Sequence, residues 1–242
     1  MPQTKRAAKR PTRASNLRTF YLILALVGVA GIGWITYSLV GGGGSAVVDP
    51  IQLTGLEDPQ ALFDAAKGVT LGEANAPVQV LVFSDFTCPA CKVWSTRVEP
   101  ELKKEFVETG KVKLVYYDFP LGRGAGHEHG FIAARAARCA AEQNKFWELH
   151  DVLFARQSEW TFERSAPLEK FAAYAREIGI DANNFEDCLN SDRHAAVVTA
   201  NRMLGDNLSV AGTPTVYVGS RPVGQWSDYA AVREAVQREL GS

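Results

Sequence analysis

No acidic residue precedes Asp49 in this 242-residue chain, and no charge of either sign falls between Phe20 and Val40. The first absence leaves Lys5, Arg6, Lys9, Arg10, Arg13 and Arg18 as an uncompensated basic tail over residues 1–18. The second gives 21 uncharged residues, about 31 Å as a helix, enough to cross a bilayer core. No polar stripe recurs within them at helical spacing, which excludes an amphipathic surface helix. Positive charge on one flank predicts a cytoplasmic tail, a transmembrane anchor over residues 19–40, and export of everything after it. A cleaved signal peptide is the rival reading, because Gly44-Ser45-Ala46 has the small residues a signal peptidase accepts. Its apolar region normally runs about 7–15 residues, shorter than this one, so an uncleaved anchor is expected.

Basic residues are sparse beyond the tail. Six of the 26 Lys and Arg lie in it, so 20 remain against 27 acidic residues and the exported part carries a formal −7. With no basic patch after residue 18, nucleic acid is excluded as a partner. Gly41–Gly44 and Ser45 cannot hold a helix and read as the start of a flexible linker over residues 41–57. No internal repeat is evident.

Cysteine is scarce as well, at four residues, and two of them are three positions apart in Cys88-Pro89-Ala90-Cys91. No other Cys or His lies within 35 residues of this motif, so the four closely paired ligands of a structural zinc are missing and no metal is expected. The apolar run Val78–Phe83 leads directly into the motif, and a strand entering a Cys-x-x-Cys at a helix start is the layout of a redox dithiol. If Cys88 caps the helix, Pro89 falls at the first helical position, where its missing N–H costs nothing. The Cys88 sulfur then faces the free N–H groups of Ala90 and Cys91 and the positive end of the helix dipole, all of which favour the nucleophilic thiolate. Ala90 itself adds no charge or side-chain donor. An even cysteine count fits an oxidising compartment. Cys139 and Cys188 remain either as partners for each other or as two separate buried thiols.

The exported part reads as one α/β domain over residues 58–242. A short helix (Ala61–Ala66) and strands Val69–Leu71 and Val78–Phe83 come first. A helix from Cys88 to about Thr109 follows, kinked at Pro100. After strand Lys111–Tyr117 comes a Gly-rich loop, Gly122–Gly126, which opens a helical insertion over about residues 122–208. Its helices are expected at 128–157 with a break near Asn144, then at Pro167–Ile178, Asn183–Leu189 and Arg193–Leu204. Strands Thr215–Val218 and Arg221–Gly224 and helix Tyr229–Leu240 close the chain. The two ends would build one mixed sheet and the insertion a helical cap. Phe131, Phe146, Trp147, Leu149, Leu153 and Phe154 are the expected core of that cap. Thr213-Pro214 stands just before a strand, where an X-Pro bond can go cis and present the Thr213 backbone to an extended peptide. His127 and His129 beside the Gly-rich loop are expected to be solvated.

These motifs together resemble the DsbA-like thiol–disulfide oxidoreductases. The likeness rests on Leu71-Gly72, Ala76-Pro77-Val78, the run Phe83-Ser84-Asp85-Phe86-Thr87-Cys88-Pro89-Ala90-Cys91, Phe119-Pro120-Leu121, Phe146-Trp147-Glu148-Leu149-His150 and Gly212-Thr213-Pro214-Thr215. It implies a thioredoxin-like fold with an inserted helical domain and a cis-proline loop at Thr213-Pro214. It also implies catalytic Cys88 and Cys91 supported by Pro89, Ala90, Asp85, Thr213 and Pro214, and a second disulfide that would join Cys139 to Cys188. The implied activity is donation of disulfides to exported proteins that are reduced or unfolded, with no cofactor. A quinone-linked membrane partner would reoxidise the dithiol. A reductase, an isomerase, or a chaperone or metal-binding protein on the same fold is the alternative. The chain departs from the thioredoxin-fold pattern at Val82, where a buried acid usually stands six residues before the nucleophile. Asp85 or a water is left to handle the Cys91 proton.

Overall fold

A computed structural model describes Tyr21 and residues 46–122, 124 and 126–241. The chain divides into Met1–Gly43 and Gly44–Ser242, and the second unit contains the sheet and all four cysteines. The basic tail, the expected anchor apart from Tyr21, and the linker up to residue 45 lie outside the described residues. Among those described, no helix is long and apolar enough to cross a membrane.

Five strands make one mixed sheet in the order β1-β3-β2-β4-β5. They are β1 (Val69–Leu71), β2 (Val78–Ser84), β3 (Val112–Asp118), β4 (Thr215–Val218) and β5 (Arg221–Pro222). β2 and β3 are parallel, and the other pairings are antiparallel. The β2 sequence is almost wholly apolar because the strand is central and covered on both faces. Its register with β3 sets Val82 beside Tyr116 and Ser84 beside Asp118. β5 is shorter than expected: Pro222 has no N–H for the ladder and sits on the edge, paired with Tyr217.

Helix α1 (Pro59–Ala65) starts on an Asp58 carboxylate that accepts from Ala61 N–H at 2.8 Å. The crossover from β2 to β3 is α2, residues 89–107. In place of a kink at Pro100, α2 alternates α-helical turns (Pro89–Val93, Glu99–Leu102) with wider π-turns (Trp94–Val98, Lys103–Val107). Proline cannot bond the carbonyl four residues back and its ring would strike it. The turn before Pro100 therefore widens, and Glu99 N–H reaches back five residues to Trp94.

The cap between β3 and β4 consists of α3 (Gly130–Ala141), α4 (Phe146–Ala155), α5 (Gln157–Trp160), α6 (Leu168–Glu177), α7 (Ala182–Leu189) and α8 (Ala195–Asn207). α9 (Tyr229–Leu240) ends the fold. The expected break falls at Asn144, whose φ of 59° is one an asparagine tolerates. Of the expected cap core, Phe131, Phe146, Leu149, Leu153 and Phe154 are buried. Trp147 is only half-buried, because its indole stitches the cap to the sheet by donating to Thr70 O at 3.4 Å under the Lys103 ammonium. Cys139 and Cys188 form a disulfide that ties α3 to α7, so they are not separate thiols. One turn earlier on α3, the buried Arg135 guanidinium donates to carbonyls of Val47, Cys188, Ser191 and Arg193. Phe86, Cys88, Cys91 and Tyr116 pack with cap residues in one cluster, which places the Cys-x-x-Cys where cap and sheet meet.

Candidate active site

β2 stops at Ser84, the chain turns through residues 85–87, and Cys88 caps α2 with extended backbone (φ −75°, ψ 123°) and Pro89 in the first turn. Both sulfurs are free thiols. Cys88 keeps 7% of its surface exposed and Cys91 none. The Thr213–Pro214 bond is cis, and its loop lies against the motif: Cys88 Sγ is 3.4 Å from Thr213 O. The sulfur makes no capping hydrogen bond of ordinary length. Even so, the Cys91 thiol, the Thr213 side chain and the N–H groups of Cys91 and Ala90 outweigh burial and lower the Cys88 thiol from 9.0 to about 5. Burial, then the neighbouring Cys88 sulfur, pushes the Cys91 thiol well up, against the pull of the Ser84 and Thr213 hydroxyls. One sulfur is thus a thiolate at neutral pH and the other a thiol.

Asp85 is buried, but its carboxylate turns away from the dithiol. One oxygen accepts from Thr87 N–H at 2.8 Å and Thr87 Oγ1 at 2.6 Å, and the other from Leu121 N–H at 2.8 Å. Only its backbone N–H reaches Cys91, donating to Sγ at 3.5 Å. Gly130 permits this close seat, since a Cβ there would come within 2.7 Å of Asp85 Oδ1. Of the two histidines expected to be solvated, His129 is buried and His127 keeps part of its side chain exposed. His127 Nδ1 lies 2.7 Å from Thr87 Oγ1 and 3.5 Å from Asp85 Oδ2. His129, 7% exposed, has Nε2 2.8 Å from Glu163 O. The Asp85 carboxylate, with the Cys88 charge behind it, holds the His127 imidazolium above the usual histidine range.

A partly exposed thiolate at a helix start, a buried thiol one turn on and a cis-proline loop across them form a site for thiol–disulfide exchange. The sequence profile of the thioredoxin family matches residues 64–238. The chain belongs to that family, among its DsbA-like thiol–disulfide oxidoreductases. It is 32% identical over 178 residues to a probable disulfide bond formation protein D of Bacillus anthracis, covering 71% of this chain and 77% of that one. It is 26% identical over 170 residues to the disulfide bond formation protein D of Bacillus subtilis, covering 70% and 76%. The crystal structure of oxidised BdbD from Bacillus subtilis shares the fold, with a TM-score of 0.65 at 24% identity over 82% of this chain and 100% of that one. The enzyme is a protein disulfide oxidoreductase.

The sequence did not single out as site residues several side chains and N–H groups that support the dithiol of this DsbA-like enzyme. The Gln157 side-chain amide, buried at the start of α5, donates to Phe86 O at 2.8 Å and Cys88 O at 2.9 Å. Thr87 and Leu121 hold Asp85, and Ser84 faces Cys91 from the end of β2. His127 was visible beside the Gly-rich loop, but only the fold carries that loop to Thr87. Among the described residues, two groupings bring three metal-capable side chains together. Cys139, Cys188 and His194 lose two ligands to the disulfide. In Glu99, His150 and Asp151 the cation position is taken by Lys103, whose ammonium lies 2.7 Å from Glu99 and 3.4 Å from Asp151.

Proposed function

We propose that the enzyme donates disulfides to exported proteins that reach it reduced or unfolded, using a Cys88–Cys91 disulfide. The carrying observation is the contrast between a Cys88 thiol lowered to about 5 and a Cys91 thiol pushed up by burial. A substrate thiolate attacks the Cys88 sulfur, the less buried of the two, the Cys88–Cys91 bond breaks, and its electron pair leaves on Cys91, which takes up a proton. The substrate's second thiolate then attacks the substrate sulfur bonded to Cys88. A substrate disulfide forms and Cys88 departs as a stabilised thiolate. A good leaving group makes the reduced enzyme favourable and its oxidised form a strong oxidant.

Pro89 presets the helix start, Ala90 leaves its N–H free, and Thr213 and Pro214 put backbone beside Cys88 where an extended peptide can add as a strand. The charge asymmetry of the chain supports an extracytoplasmic domain (58–242) tethered by the linker (41–57) to an anchor at residues 19–40. An anchor would hold the enzyme near a quinone-linked membrane partner that restores the disulfide. Reductase or isomerase action is the same chemistry in the other direction. Equilibration of Cys88/Cys91 with glutathione buffers decides between them: a potential near about −120 mV supports the oxidase, and one near about −270 mV overturns it.

A further inference from the structure

Among the described residues, the most exposed large apolar side chain stands on the segment that holds the Cys88 turn. Phe162 is 77% exposed, against 54% for Phe63 and 49% for Leu208. Single apolar residues on a surface are ordinary. Phe162 differs because it is held on three sides. Before it, Thr161 N–H and Thr161 Oγ1 both donate to Gln157 O, at 3.1 and 2.6 Å. After it, Glu163 N–H donates to Trp160 O at 3.3 Å, and Glu163 O lies 2.8 Å from His129 Nε2. Its ring lies against Gly126, where a Cβ would come within 2.8 Å of Phe162 Cε1. Trp160, two residues earlier, is fully buried, so the segment hides one aromatic ring and shows the other.

The same segment is fixed to the dithiol. Gln157, whose carbonyl accepts from Thr161, donates through its side-chain amide to Phe86 O at 2.8 Å and Cys88 O at 2.9 Å. His129, which meets Glu163, follows His127 by two residues, and His127 Nδ1 lies 2.7 Å from Thr87 Oγ1. Both backbone neighbours of Phe162 are therefore tied, through the cap, to the turn Phe86-Thr87-Cys88. A mobile aromatic side chain loses freedom when it binds. One already held presents its large apolar area at little entropic cost.

We propose that Phe162 is a specificity-determining contact of the exchange reaction, receiving an apolar side chain that flanks the reacting cysteine of a reduced, unfolded polypeptide. The inference rests on the disulfide-donor reading above. Incompletely folded chains expose apolar residues that folded ones hide, so the contact favours the substrates that such a donor serves. The Thr213 backbone belongs to the sheet half of the site and offers main-chain bonds that are blind to side chains. Phe162 belongs to the cap half and selects by side chain. No electron or proton passes through it.

The test uses the oxidised full-length enzyme and two reduced dithiol peptides that differ only in carrying phenylalanine or serine beside the first cysteine. At limiting peptide concentration the wild type should oxidise the phenylalanine peptide about fivefold or more faster. In Phe162→Ser the ratio of the two rates should fall to about one, and in Phe162→Leu most of it should remain. The side chain stands mostly in solvent, so both variants keep the fold. A ratio of one in the wild type, or the wild-type ratio in Phe162→Ser, overturns the inference. A wild-type dimer that Phe162→Ser dissociates with the ratio intact assigns the ring to a second copy of the chain and overturns it as well. If the oxidised wild type oxidises neither peptide, the donor reading falls and the inference with it.

Discussion

The side-chain amide of Gln157 donates to the carbonyl oxygen of Cys88 at 2.9 Å, so the turn that presents the nucleophile is held from the cap and not from the sheet. Its bond to Phe86 O at 2.8 Å pins the other end of the same turn. Gln157→Leu keeps the volume but removes the side-chain donor from the Phe86 carbonyl and leaves the Cys88 carbonyl with the Lys92 N–H alone, at 3.1 Å, at a cost of about 1–3 kcal/mol. Urea unfolding should show that loss, and reactivity of Cys88 towards an alkylating reagent should change with it. An unaltered midpoint and rate would show that the amide is dispensable.

Cys88 ionisation should be visible as thiolate absorbance with a midpoint at about pH 5 in the reduced protein. The folded value lies below the unfolded one, so the group contributes stability that is fully present above the unfolded value and lost as pH falls through about 5. Cys91, raised by burial, opposes unfolding only while it stays a thiol and loses its contribution at alkaline pH. Reduced minus oxidised stability, from paired melts, should therefore grow as pH rises from about 5 towards the ordinary thiol value of 9.0. A difference that does not move with pH would contradict the assignment.

His127 supplies the cation that the Pro89-Ala90 dipeptide lacks. Protonated below its raised midpoint, it sits against Thr87 and Asp85 beside the Cys88 charge. His127→Gln keeps a partner for Thr87 but removes the charge, and should raise the Cys88 midpoint by about one unit or less. Thiolate titration of the variant checks this, and a midpoint identical to wild type counts against the electrostatic role.

The Cys139–Cys188 bridge closes a loop with a sequence separation of 49. By the loop-entropy model, Cys139→Ala with Cys188→Ala should lower stability by about 4 kcal/mol. The loss belongs to the cap, so the Cys88 titration midpoint should hold wherever the double variant remains folded. A midpoint that shifts with the bridge removed would mean that the cap sets the dithiol's chemistry as well as its cover.

Much of the fold could be read locally. Apolar runs set β2 and β3 to within a residue or two, and Pro89 and Thr213-Pro214 punctuate the two halves of the site. Pro100 forecast a disturbance in α2 but not its form, because whether a helix kinks or widens depends on what packs around it. His194, with φ at 64°, delays α8 by two residues for a similar reason. The histidines were misread because exposure is not a local property. His127 and His129 look like loop residues until Thr87 and Glu163 are folded onto them.

The sequence by itself determined that a strand runs into a Cys-x-x-Cys at a helix start, and hence that Cys88 meets free N–H groups and Cys91 lies one turn behind it. Those consequences need only backbone geometry over a few residues. The tertiary structure decided everything that depends on distant chain: the Gln157 clamp, the turn of Asp85 away from Cys91 and the approach of His127 to Thr87. The physical reason is dielectric as much as distance. A hydroxyl or carboxylate influences a thiol strongly only where water is excluded, and the closure of the cap over the sheet is what excludes it.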